Sequence, residues 1–131
     1  MAETRARPLS PHLGIWRWGP AMTVSILHRI TGGALTVAGL AVLTWWLLAL
    51  SDGSDAYADF AKLAAHPLGL VVLVGLTWAF FQHLLSGLRH LVMDTGENLE
   101  IQRNKGSAVL TIVAALLLTA ALWAYLLGVL P

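Results

Sequence analysis

The sequence predicts an all-α integral membrane protein with three transmembrane helices, its N-terminus inside and its C-terminus outside. Two observations carry this reading. The 131-residue chain is 57% hydrophobic and only 11% charged, with a mean hydropathy of +0.72, whereas a soluble domain carries roughly a quarter charged residues. Three runs are also free of Asp, Glu, Lys and Arg: Ile30–Leu50, Pro67–Leu88 and Gly106–Pro131. Each provides the roughly 20 residues that a helix rising about 1.5 Å per residue needs to cross a bilayer. In lipid, helices satisfy their own backbone groups.

Taken in order, the chain divides into a cytoplasmic N-terminal segment (1–21), a first span (22–50), an outer loop (51–66), a second span (67–93), an inner loop (94–105) and a third span (106–130). All belong to a single membrane domain. The segment MAETRARPLSPHLGIWRWGP has no compact apolar stretch, so it does not read as a cleavable secretory signal. The outer loop carries Asp52, Asp55, Asp59 and Lys62, and the inner loop carries Asp94, Glu97, Glu100, Arg103 and Lys105. Pro67 suits the first turn of the second helix. Orientation follows from Lys and Arg. Arg5, Arg7, Arg17, Arg29, Arg89, Arg103 and Lys105 fall on one side and only Lys62 on the other, which places the N-terminus and second connection inside. Trp16 and Trp18 stand where an interfacial anchor belongs, with Trp45, Trp46 and Trp123 toward the far face.

Several chemistries are excluded by composition. With no cysteine, the chain holds no disulfide, thiolate-bound iron–sulfur cluster, covalent c-type haem or cysteine zinc site. A net charge of +1 without a basic cluster offers nothing to nucleic acid. HExxH, Gly-rich phosphate loops and nucleophile elbows are absent.

The predicted topology gathers ionisable groups at one end, because the first span starts where the second ends. Ser25 and Arg29 are four apart on one helix face. They read either as donors for a neutral, oxygen-bearing ligand, or as a snorkelling Arg and a Ser bonded back to its own helix. His83 lies inside the second span, about 16 Å along the helix from Asp94, where an ionisable residue is costly. It reads as a metal or haem ligand, or as an interhelical hydrogen bond. His90 shares its face but stands about 10 Å away, too far to ligate the same iron. With Arg89 it is placed to meet a cofactor's acidic edge. Ser86 and Gly87 are small enough for a macrocycle or a helix to approach. His12 and His66 read as surface histidines.

The segments RPLSPHLGIWRWGPAMTVSILHRITG (Arg7–Gly32) and HLLSGLRHLVMDTG (His83–Gly96) resemble the cytochrome b subunits of succinate dehydrogenase, the larger membrane anchor of respiratory complex II. The resemblance is close through the first two helices; the third agrees only in being apolar and correctly placed. One departure is Ile15-Trp16-Arg17 where the family often reads Ile-Tyr-Arg.

The resemblance implies a subunit without catalysis of its own, part of a heterodimeric helix bundle in the bacterial cytoplasmic membrane (or the mitochondrial inner membrane). His83 matches the axial iron ligand of haem b, the second ligand coming from the small membrane-anchor subunit. His28, Arg29 and His90 match the haem-propionate environment. Ser25 and Arg29, with Ile26, Trp18 and Met22, match the ubiquinone pocket. The other implied partners are the iron–sulfur subunit, with its clusters, and the flavoprotein subunit, with its FAD. Electrons from succinate would pass through both to ubiquinone. Two alternatives remain at this point: a haem-free structural anchor or scaffold, and the anchor of a quinol:fumarate reductase.

Overall fold

The computed structural model describes residues 12 and 14 and residues 16–128. Arg5, Arg7 and most of the N-terminal segment therefore lie outside the described residues, as does the tail of the third span beyond 128. The described chain is all-helical: α1 (Pro20–Ala34), a π-helical segment (Leu35–Gly39), α2 (Leu40–Asp52), α3 (Ser54–Ala64), α4 (Pro67–Asp94) and α5 (Ile101–Leu126). Three continuous helices, Pro20–Asp52, Pro67–Asp94 and Ile101–Leu126, are long and apolar enough to cross a membrane.

Local chemistry sets the boundaries. Gly19 is extended and Pro20 occupies the first turn of α1, where its missing N–H costs nothing and its φ is already helical. Gly53, at φ 108°, stops the first span in a conformation that side chains avoid. The side chain of His66 caps α4 by accepting from Leu68 N–H at 3.3 Å, and Pro67 follows in the first turn. Gly96 and Asn98, both at positive φ, turn the chain into α5. That helix begins at Ile101, inside the stretch expected as the inner loop.

The stretch expected as the outer loop is also mostly helical. In α3, Asp55 lies in the first turn and Lys62 in the last, each complementing the helix dipole. Phe60 packs edge-on against Trp45 of α2, ring centroids 4.9 Å apart. Trp45 thus anchors α3, while Trp123 donates across the bundle to Thr77 Oγ1 at 3.2 Å.

At the end holding Pro20, Asp94 and Ile101, helices α1, α4 and α5 all pack against one another. Small buried residues, Ala79, Ser86, Ala108, Thr111, Ala115 and Thr119, allow the close approach that drives helix association in lipid. Beyond the π segment the bundle opens. Among the described residues α2 packs on α3 but makes no close backbone approach to α4 or α5. The resulting apolar cleft is about 630 Å³, walled by Trp46, Phe80, Phe81 and Trp123 among others.

One core residue departs from this pattern. Gln82 has no exposed surface, and among the described residues neither amide atom has a hydrogen-bond partner. An unmet buried amide costs about 1–3 kcal/mol, and Met has similar volume without that cost. Gln82→Met is therefore expected to raise the melting temperature of the solubilised complex. An unchanged or lowered value would show that the amide is satisfied.

Candidate functional site: an imidazole cluster between two helices

Helix α1 presents two opposite stripes. Val24, His28 and Thr31 recur at helical spacing and turn inward; Val24 and Thr31 are buried. Met22, Ser25, Ile26 and Arg29 form the opposite stripe, on which Met22 and Arg29 are exposed and Ser25 and Ile26 half-buried. The expected site residues thus divide between two faces of one helix.

On the inward face three imidazoles meet. The rings of His28 and His83 stack 4.0 Å apart at an interplanar angle of 7°. His90 lies 5.1 Å from His28, tilted by 43°. His83 Nδ1 is 3.1 Å from the backbone carbonyl of His28, and a carbonyl only accepts. Nδ1 therefore carries a hydrogen, which in the neutral ring leaves the lone pair on Nε2. The same argument applies to His90, whose Nδ1 is 2.7 Å from the Ser86 carbonyl. His28 Nδ1 is buried with no partner among the described residues.

The close approach at His83 depends on Gly32. A Cβ there would stand 2.9 Å from His83 Cε1 and 3.4 Å from Nδ1. Gly87, across the interface, leaves ordinary contact distance to His28. Gly32→Ala is expected to push the His83 ring off its carbonyl and to cost about 1–3 kcal/mol, as overpacking does. The check is the melting temperature of the solubilised complex, which should fall.

On the outward stripe, Arg29 leaves α1 about 100° round from His28. Among the described residues it forms no ion pair and no hydrogen bond to the imidazoles. Arg29 thus shares its side of α1 with Ser25, Ile26 and Met22. Trp18 precedes the helix; its Nε1 donates to Thr23 Oγ1 at 2.6 Å, and its ring meets Trp16 edge-on.

Arg89 does not face the cluster, contrary to the expectation from its neighbour His90. It is only 8% exposed and turns to α5, where Nε donates to Ser107 Oγ at 3.1 Å and Nη2 to Asn104 Oδ1 at 3.0 Å. Asn104 Nδ2 in turn donates to the Asn98 carbonyl. Adjacent helical residues point about 100° apart, so His90 and Arg89 serve different interfaces: one the site, the other the turn into α5. Thr31, Gly32 and Gln82 are the residues that sequence reasoning passed over. Only Gln82 carried a signal, being as conspicuous inside an apolar span as His83.

The donor set fits a haem held by one histidine of this chain. His83 offers an imidazole whose Nδ1–H is held by a carbonyl, the arrangement usual for metal-ligating histidine. The buried, unpaired Nδ1 of His28 offers a second polar atom beside it. No group of three His, Asp or Glu converges on a bare metal ion among the described residues.

Residues 3–122 match the family described as the succinate dehydrogenase/fumarate reductase transmembrane subunit. A succinate dehydrogenase cytochrome b556 subunit of Paracoccus denitrificans is 44% identical over 112 residues, 86% of this chain and 85% of that protein. The one of Rickettsia felis is 39% identical over 117 residues, covering 89% and 90%. A human mitochondrial succinate dehydrogenase cytochrome b560 subunit is 34% identical over 113 residues, covering 85% of this chain and 66% of that protein.

Proposed function

The chain belongs to the succinate dehydrogenase/fumarate reductase transmembrane subunit family, and on that premise we propose that it is the cytochrome b anchor of a succinate:ubiquinone oxidoreductase. Its place is the bacterial cytoplasmic membrane, or the mitochondrial inner membrane in a eukaryote. The observation that carries the reading is His83 at the α1–α4 interface with its Nδ1 held 3.1 Å from the His28 carbonyl, which leaves Nε2 for a metal.

In this reading the chain works with a small membrane anchor, an iron–sulfur subunit carrying the clusters and a flavoprotein carrying FAD. His83 Nε2 would hold the iron of haem b from this chain, with a second ligand from the small anchor. When bound, the haem supplies a one-electron carrier whose potential follows its ligands, its burial and nearby charge. His28 and His90, beside His83, would face its acidic edge. The excess of Lys and Arg at the end shared by the first and second spans puts that end inside, where a soluble head delivers electrons.

Ubiquinone binds on the opposite stripe of α1. Arg29 and Ser25 donate hydrogen bonds to a quinone carbonyl oxygen, and Ile26, Met22 and Trp18 line the apolar side. Fixed donors of this kind stabilise negative charge as it develops on that oxygen. Arg29 supports the role because it has no carboxylate partner to neutralise it among the described residues.

The test is a paired measurement on membranes carrying the whole complex. One arm records the b-type spectrum with and without His83. The other compares succinate-driven quinone reduction with reduction of a dye that takes electrons from the soluble head. Loss of the first in a His83 variant and of the second in an Arg29 variant supports the reading, and survival of both would end it.

A further inference from the structure

We infer that Thr31 is a positioning residue that acts through His83 to set how strongly the bound iron holds its electron. The inference rests on His83 being the axial ligand, and it concerns the other side of the imidazole, which the ligand role leaves unexplained.

The Nδ1–H of His83 meets two acceptors from a single turn of α1. One is the His28 carbonyl at 3.1 Å. The other is the Thr31 hydroxyl oxygen at 3.4 Å. That hydroxyl gives its own hydrogen to the Leu27 carbonyl at 2.7 Å, so its lone pairs are what the imidazole sees. Thr31 is 1% exposed, so neither water nor lipid competes for the oxygen. Gly32 completes the clamp, because the ring lies where a Cβ would clash, and the parallel His28 ring covers one face.

The chemistry follows from ordinary imidazole behaviour. An acceptor at Nδ1–H draws the proton outward and raises the electron density on Nε2. A more basic Nε2 favours the oxidised iron over the reduced one, and outer partners tune metal sites in this way. A backbone carbonyl cannot be removed by substitution, but a hydroxyl can. Thr31 is thus the adjustable half of a two-acceptor clamp, and its loss should make the haem easier to reduce.

The experiment is an equilibrium redox titration of the b-type band in membranes carrying the full complex, for wild type, Thr31→Val, Thr31→Ser and His83→Ala. Thr31→Val keeps the shape and removes the acceptor. It is expected to retain haem and to raise the reduced-to-oxidised ratio about two- to five-fold at the wild-type midpoint, the equivalent of a modest net hydrogen bond. Thr31→Ser restores the oxygen and should return the midpoint to that of wild type. Haem lost from Thr31→Val and kept by Thr31→Ser would also support the clamp, since the hydroxyl alone distinguishes them. A Thr31→Val protein with full haem and an unmoved or lowered midpoint would overturn it, as would a Thr31→Ser protein displaced as far as the valine variant or lacking haem. Persistence of the band in His83→Ala is a separate result, and it would strike the ligand assignment itself.

Discussion

Membranes carrying the complex with His83→Ala are expected to show no b-type band. The expectation comes from what else is available. His28 is the nearest imidazole, but it stacks flat on His83 with rings 4.0 Å apart. Reaching the same iron would require it to leave that plane. His90 has its own Nδ1 fixed by the Ser86 carbonyl and stands beyond His28. Loss of an outer partner alone costs about 10–100-fold in metal affinity, and loss of a direct ligand costs more. The assembled protein should still be found in the membrane, because the packing of α1, α4 and α5 rests on Val24, Ala79, Ala108 and Ala115 and not on the imidazole. An unchanged band would place the ligand elsewhere and leave His83 as an interhelical hydrogen bond.

Arg29→Ala is expected to lower succinate-driven quinone reduction by about 10²–10³-fold, the usual loss on removing one preorganised donor. Dye reduction at the soluble head should not change. Misfolding is a poor explanation for such a loss, since Arg29 is exposed and forms no ion pair among the described residues. The decisive variant is Arg29→Lys. If Arg29 only marks the inner side of the membrane, Lys serves equally well, because the orientation rule counts both. If it grips a carbonyl with a planar fork, Lys retains charge but not geometry and falls between wild type and alanine. Full activity in Arg29→Lys would remove Arg29 from the quinone site.

Much of this architecture was legible in the sequence, for a physical reason. Charge-free runs of bilayer length have few alternatives, and their polarity forces the start of the first span and the end of the second to one side. That alone brings Ser25–Arg29 and His83–His90 to the same end. What escaped was rotational. Nothing in composition says that Arg29 is exposed beside a half-buried His28, or that Arg89 turns from His90 toward Asn104 and Ser107. Those directions follow from helix phase and from which neighbour arrives. Residues 51–66 read as a polar loop because Asp52, Asp55, Asp59 and Lys62 dominate them, yet Phe60 finds Trp45 and the segment folds as α3. Thr31 and Gly32 looked like ordinary span residues, and only the position of the His83 ring gives them a task.

The π segment Leu35–Gly39 has a consequence for comparing relatives. A turn closed by i→i+5 bonds holds one residue more than an α-helical turn, and one residue is about 100° of rotation. The site half of the first span and its far half are therefore phased independently. A relative whose first span is regular throughout should align without gaps to residues 20–34 or to residues 40–52, but not to both. A single-residue gap near 35–39 would then record a change of helix phase, and the helix stripes of the two halves should be inferred separately on either side of it.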